Sequence, residues 1–522
     1  MLLGQRSPRR IQSKRRVMIS LISLAQLRLL LGSRCLARYN FCLMIKAFAS
    51  APIPKVAVTL SIFSTLVSYF RRNTMGVFQK GAGLVLFLAQ FAPVQSTKLD
   101  SKNGILDASK GLAGDLISFY KGNETGQTPG LLPERTMGTD GYYWYQSGAF
   151  MGSFVDYWQL TGDKTYNKLV TEGIQWQVGK GKDFMPANNT ASMGNDDQSI
   201  WAFAALTAAE YGYPEPSEGQ PEWLDLAVAV WEEQRARWDT EVAQKTCNGG
   251  LRWQIMMTNA GFDYKSTLAN VLFFNLGARL ARLTSNETYA DYASKTWDWL
   301  ETSELIDKET WAVYDGAQAT EATKNCSNVN QIQWSANSAG LTMGAAFMYN
   351  FTEGSDEWRK RTENLASATL GTFFKKNGDF NEIACANSKG KCPRDIVMYK
   401  GFTHRWLAVA TQVAPFTASS ILPVLRKSAE GLKAEGNGGD ALEQKFSNFV
   451  VVSNLLIDDS SAPGHQNETG KTDKAEDSPS STSTPASKSS SAEAEGNSAI
   501  KLTGSSSFLA LSVLIMASRW IL

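Results

Sequence analysis

The chain has 522 residues, 43% of them hydrophobic, which is ample for a large core, and its 52 basic against 50 acidic residues leave a net charge of +2 that points to no nucleic-acid partner. Only two histidines are present, one of them in a low-complexity stretch, so a His-based metal site or a Ser-His-Asp triad has almost no material to work with. No phosphate-binding loop or dinucleotide fingerprint occurs.

Residues 1–74 carry thirteen Lys or Arg and no acid, the first acidic residue being Asp100. We read them as a basic leader upstream of the working start; a membrane anchor or organelle presequence is the alternative. Met75 opens a secretory signal layout over 75–96: Lys80, an apolar stretch Leu84–Ala92, then small residues near Ser96.

From 97 to 455 helix follows helix. Ser199–Glu210, Trp223–Trp238, Leu268–Leu283, Tyr289–Leu300, Ser335–Met348 and Glu357–Phe374 place apolar residues three and four apart, and no comparable series of alternating strands appears. Leu160–Tyr166 (LTGDKTY) resembles Leu283–Tyr289 (LTSNETY), and Asn350–Asp356 occupies a similar slot. Each reads as the polar turn of a helical hairpin, and repeated hairpins over this length predict an open solenoid or a closed toroid. Trp and Tyr in polar company at the hairpin starts favour closure around a sugar-binding cleft.

Gly194-Asn195-Asp196-Asp197-Gln198 runs straight into the Ser199 helix. A helix cap needs one acidic group; two adjacent carboxylates raise one pKa and leave the other ionised, which is the division a glycosidase uses. Gly249–Gln254 (GGLRWQ) offers close backbone approach, donors and a stacking face, with a buried Trp–Arg pair as the bland reading. Tyr142–Tyr145 are four successive aromatics, too many for one core face. Gln333–Asn337 opens a helix, and Lys400–Trp406 contains His404.

Residues 456–499 are rich in Ser, Thr, Pro, Lys and Glu and read as a solvated stalk. Small residues Asn497-Ser498-Ala499, a polar spacer and the apolar Phe508–Leu522 make 500–522 a GPI-attachment signal with Asn497 as the attachment residue; a weak tail anchor is the alternative. Sequons at Asn123, Asn188, Asn286, Asn350 and Asn467, and a poorer one at Asn325, agree with secretion. The domain holds four cysteines. Cys385 and Cys392 are close enough for a local staple, which leaves Cys247 with Cys326; without CxxC spacing, zinc is the weaker reading.

The runs YYWYQSGAFMGSFVDYWQLTGDKTYN, GNDDQSIWAFAALTAAEYGYP, GGLRWQI, DYKSTLAN and QWSANSAG resemble glycoside hydrolase family 76, and within it the fungal GPI-anchored mannan endo-1,6-α-mannosidase group, over roughly Leu99–Ser453. The resemblance implies an all-α fold, an (α/α)6 barrel of helical hairpins, and a retaining mechanism with Asp196 as nucleophile and Asp197 as general acid/base. Retaining enzymes set their carboxyls about 5–5.5 Å apart. It further implies cleft residues at Tyr143, Trp144, Asn195, Arg252, Trp253, Gln254, Asp263, Tyr264, Asn270, Trp334, Asn337 and Arg405. The donor expected is α-mannan or a GPI glycan and the acceptor wall β-glucan. No cofactor or metal is expected, and a monomer held at the membrane by its GPI anchor is. A non-catalytic mannan-binding scaffold on the same fold is the competing expectation.

Overall fold

Apolar, small-residue helices ended by polar turns fold back on a partner, and that alternation builds the whole domain. The computed structural model describes residues 99–133, 141–319, 326, 328–388, 392–434, 441–466 and 472–473. The chain divides into units 1–92 and 93–522, and every described residue belongs to the second. The leader 1–74, the signal 75–96, the tail 500–522, nearly all of the stalk beyond 466, Asn325, Asn467 and Asn497 lie outside the described residues.

Twelve α-helices occur among the described residues. Six form an inner ring: α2 (Trp144–Thr161), α4 (Asn195–Tyr211), α6 (Thr267–Thr284), α8 (Ser335–Phe351), α10 (Tyr399–Val413) and α12 (Leu442–Ser453). Each packs on the next, and α12 returns to α2 to close the ring. Outside lie α3 (Asn167–Trp176), α5 (Trp223–Ala243), α7 (Glu287–Thr302), α9 (Asp356–Phe373) and α11 (Ala418–Ala434), each against the inner helix before it. The sixth outer helix, α1 (Lys102–Ile117), packs on α12, so the last pair joins the two ends of the domain. This is the (α/α)6 barrel.

Composition separates the two layers. On α8 every residue from Ser335 to Met348 is buried, as an interior helix requires. On α9 only a stripe is buried (Trp358, Thr362, Leu365, Ala366, Thr369, Phe373), and charges face out. Glycines set the spacing of the inner ring. A Cβ on Gly344 would lie 2.3 Å from the Phe274 ring on α6, and one on Gly340 would lie 2.7 Å from Val271.

Because every inner helix returns through an outer partner, all six inner helices run the same way. The short polar turns seen in the sequence lie at their C-terminal ends, the base. α2 stops at Gly162 (φ +73°), and Asp163 Oδ1 accepts from the Thr165 amide at 2.9 Å. α6 stops at Ser285 (φ +56°), and Asn286 Oδ1 accepts from Thr288 to cap α7. The described residues of the long connections 118–143, 177–194, 244–266, 303–334 and 374–398 gather at the opposite end, the mouth. There a small antiparallel sheet forms, β1 (Tyr264–Ser266), β2 (Tyr314–Gln318) and β3 (Val329–Gln333), with Lys265 opposite Ala317 and Tyr314 opposite Gln333. The sequence reading had no strands there, because three to five residues of mixed polarity carry no periodic signal.

Both expected disulfides form, Cys247–Cys326 and Cys385–Cys392. The domain runs past the expected limit of 455: Leu456 and Ile457 are buried, the Gly464 amide donates to the Glu210 carbonyl at 2.8 Å, and Arg282 donates to the Gly464 carbonyl. Of the sequons, Asn123, Asn188 and Asn286 are exposed. Asn350 is half-buried, its amide nitrogen donating to the Val413 carbonyl and its oxygen accepting from Arg282.

Gly344→Ala should cost about 1–3 kcal/mol through overpacking, despite the better helix propensity of Ala. Gly111→Ala on α1, where the new methyl meets nothing within 4 Å, should be neutral or stabilising. Paired denaturant-unfolding curves check both.

Candidate active site

Convergence of the inner-helix N-termini leaves a cavity of 510 Å³ at the mouth. Asp196 and Asp197, in the first turn of α4, lie in its wall. The turn before them is tight: a Cβ on Gly194 would sit 2.2 Å from Asp196 Oδ1. Gly194 N–H donates to Asp197 Oδ2 at 2.7 Å, half of a capping box, so the bland helix-cap role is real but occupies only one of the two acids. The Asp197 amide donates to Asp196 Oδ1 at 3.0 Å, and the Trp253 side chain, lining the cavity beside it, acts to lower the Asp196 pKa.

The segment facing the pair is 252–254. Asn195 N–H donates to the Trp253 carbonyl at 2.8 Å, the Asn195 side chain donates to the Arg252 carbonyl at 2.9 Å, and Gly194 bridges Gln254. The helix head and this segment thus form one backbone unit.

Burial raises both carboxyl pKa values. Asp196 goes well above the carboxylate range, by burial first and by the charge of Asp197 second. Asp197 is pushed up to about 6 by burial, opposed by the Gly194 hydrogen bond. The groups titrate as a pair that keeps one proton across neutral pH.

Two further carboxylates line the cavity, neither singled out from the sequence. Asp315 on β2 accepts from the Tyr264 hydroxyl, from Trp334 Nε1 at 2.8 Å and from Asn330 at 2.9 Å, and so orients two aromatic walls. Asp395 accepts from the Tyr145 hydroxyl at 3.3 Å. Burial first, then the surrounding carboxylates, raise the Tyr145 and Tyr399 phenols well above their ordinary value, so both stay neutral donors. Behind Trp334, Glu382 takes the Ser335 amide and hydroxyl, and burial pushes it up to about 7. No Lys, Arg or His is among the described lining residues. Asp315 on a five-residue strand and Asp395 in a four-residue 3-10 turn lie in elements too short to carry periodicity, and only the tertiary fold shows their importance.

Of the expected cleft residues, Tyr143, Trp253, Gln254, Tyr264, Trp334 and Asn337 line the cavity with the aspartate pair. Six others do not. Trp144 packs on Trp201 and donates to Gln177. Asn195 turns away to accept from Arg237. Arg252 pairs with Glu241 at 2.7 Å and faces a neighbouring cavity that Asp263 also lines. Asn270 is fully buried on the Leu251 and Ser266 backbone. Arg405 is paired with Asp156 in the interior. His404 is buried between Lys400 O and Ser428 Oγ, and burial pushes its pKa down to about 3, so it remains neutral away from the cavity.

Residues 104–461 match Glycosyl hydrolase family 76. The chain is 37% identical over 356 residues to the mannan endo-1,6-alpha-mannosidase DCW1 of Saccharomyces cerevisiae, spanning 68% of this chain and 76% of that protein. It is 33% identical over 409 residues to DFG5 of the same yeast, across 74% and 86%. Among solved structures, Dfg5 from Chaetomium thermophilum in complex with glucosamine superposes with a TM-score of 0.67 at 45% identity, across 73% of this chain and 96% of that one. The fold is shared with an inactive α-1,6-mannanase variant from Salegentibacter sp. HEL1_6 in complex with α-1,6-mannotriose (TM-score 0.54, 14% identity, across 68% and 99%).

The pair's pKa values predict a bell-shaped pH dependence of kcat/KM, which reports the free enzyme. Below about pH 6 both carboxyls are protonated and the pair holds no carboxylate. Above the higher value both are ionised and the acid is lost. A pH–rate profile on an α-1,6-mannooligosaccharide should show its acidic limb near 6 and a broad neutral plateau.

Proposed function

The chain belongs to glycosyl hydrolase family 76 and is a glycoside hydrolase, and on that premise we propose that it is a retaining, endo-acting α-1,6-mannosidase whose glycosyl-enzyme is passed to a sugar hydroxyl. The observation that carries this is the pair of adjacent aspartates at the head of α4, set in the wall of an aromatic-lined cavity. The inactive Salegentibacter variant, in which two consecutive aspartates are replaced, supports the same assignment.

Asp196 acts as nucleophile. As positive charge develops at the anomeric carbon, the Asp196 carboxylate is stabilised and the shared proton passes to Asp197. The Asp196 oxygen bonds to C1, the glycosidic C–O bond breaks, and Asp197 gives its proton to the departing oxygen. In the second half Asp197 takes the proton of an incoming hydroxyl, whose oxygen bonds to C1 as the ester to Asp196 breaks. Water as acceptor gives hydrolysis; a β-glucan hydroxyl gives transfer.

The donor we favour is the mannose core of a GPI glycan, the transfer fixing a mannoprotein to wall glucan. A cavity with four aspartates and no cationic lining residue suits a sugar bearing an ammonium group. The GPI core begins from unacetylated glucosamine, and the Chaetomium Dfg5 structure is a glucosamine complex. Secretion through a signal peptide and a GPI anchor at Asn497 would place the enzyme, as a monomer, at the outer face of the plasma membrane.

Mass spectrometry of the protein with an α-1,6-mannooligosaccharide or a GPI-core glycan, with and without a β-glucan oligosaccharide, tests this. Asp196→Asn and Asp197→Asn should each lower turnover at least about 1,000-fold. Hybrid mannose–glucose masses establish transfer, and shortened products alone establish hydrolysis. Glycan binding without turnover on either donor would leave a non-catalytic scaffold.

A further inference from the structure

Lys265 is the only lysine among the described residues whose side chain is fully buried. It sits on β1 between Tyr264, which lines the cavity, and Ser266, whose hydroxyl caps α6. Its ammonium donates to the carbonyls of Thr246 at 3.0 Å, Gly250 at 2.8 Å and Gly249, and meets Glu241 Oε2 at 3.1 Å. Three carbonyls from one turn around one cation are an unusual use for a buried lysine, and the turn explains the need. Lys245, Cys247, Asn248, Gly249 and Gly250 all have positive φ (55°, 54°, 53°, 125° and 79°), a conformation that L-residues resist unless their surroundings hold them.

Beyond that turn the contacts lead to the catalytic pair. Glu241, which receives Lys265, also receives Arg252 Nε at 2.7 Å. Leu251 N–H is held by Asn270. The next two carbonyls, of Arg252 and Trp253, take the Asn195 side chain and amide, and the Trp253 indole reaches Asp196.

We propose that Lys265 is a positioning residue for the catalytic pair: its ammonium gathers the 246–250 turn so that the following segment holds the head of α4 and sets the Trp253 indole on Asp196. The proposal rests on the assignment of Asp196 and Asp197 as the catalytic pair. A side chain without the cation frees three carbonyls and half of Glu241's partners. The turn then relaxes toward right-handed backbone, and the indole leaves Asp196. An indole N–H beside a carboxylate favours its ionised form, so withdrawing it raises the pKa of Asp196 further.

The test uses the whole domain with Lys265→Met, Lys265→Arg, Trp253→Phe and the double variant Lys265→Met/Trp253→Phe, each checked for helix content by circular dichroism. Lys265→Met should lower kcat about 100-fold, the cost of a small misplacement, with a smaller change in KM. Its alkaline pH limb should move upward. Trp253→Phe should shift that limb the same way, the double variant no further, and Lys265→Arg should restore part of the loss. Hydrogen exchange of segments 192–198 and 251–256 should quicken in Lys265→Met while the base helices keep their protection. A folded Lys265→Met with the wild-type alkaline limb and unchanged exchange in both segments would overturn the proposal, even if its activity were low. If Lys265→Met does not fold, Glu241→Gln replaces it: the same limb shift and local exchange support the proposal, and their absence overturns it. If the wild-type protein turns over no glycan, the assignment of the pair fails, and the exchange comparison alone still decides whether Lys265 holds the α4 head.

Discussion

Two carboxyls on consecutive residues, both withdrawn from bulk water, repel each other in the wall of the cavity. The fold compensates in part: the first turn of α4 offers its dipole, Gly194 and Asp197 their amides, and Trp253 its indole. Burial still outweighs these, which is why the pair keeps a proton. A guanidinium in the same cavity would reverse the balance by stabilising the second negative charge. The nearby arginines are instead each committed elsewhere, Arg252 to Glu241, Arg279 to Glu210 and Arg405 to Asp156. Keeping cations out of the cavity is thus as much a part of the chemistry as placing the acids in it.

The same fact explains which parts of the site were legible in the sequence. The aspartate pair stood out because a helix start that needs one acid has two. The aromatics of the mouth stood out because four in a row cannot all be core. Arg252, Arg405, Asn195 and Asn270 were picked because they are polar and lie within informative runs, but consecutive helical residues point about 100° apart. On α10, Phe402 and Trp406 reach the cavity, and Arg405 between them in sequence faces Asp156 inside the ring. Asp315 and Asp395 went unnoticed for the opposite reason: they sit in elements of four or five residues, and their partners, Trp334 and Tyr145, are 19 and 250 residues away.

The helices themselves were readable because the two layers differ in composition, all-round burial inside and a single stripe outside. Closure of the ring was less so. It depends on α12 meeting both α2 and α1, a contact between the ends of the domain that no local pattern encodes. The boundary near 455 fell short because Leu456 and Ile457 are too short a buried run to carry a helical period, and the residues after them bury backbone polar groups on the base. Gly464 gives Glu210 a donor and Arg282 an acceptor, and neither bond has a signature in composition.

The two ends of the barrel solve different physical problems. At the base the turns are short, so little chain entropy is lost in ordering them. At the mouth, long connections must stay partly exposed to meet a glycan: Trp253 is 41% and Met257 76% exposed. Such loops cannot be fixed by burial without closing the cavity they form. Both disulfides lie there, joining 244–266 to 303–334 and stapling 374–398 to itself. The Lys265 cluster and the Asp315 hydrogen bonds lie there too, polar ties that need no apolar cover. Covalent links can fix a loop where burial cannot, and here they occur where an open binding surface rules out more core.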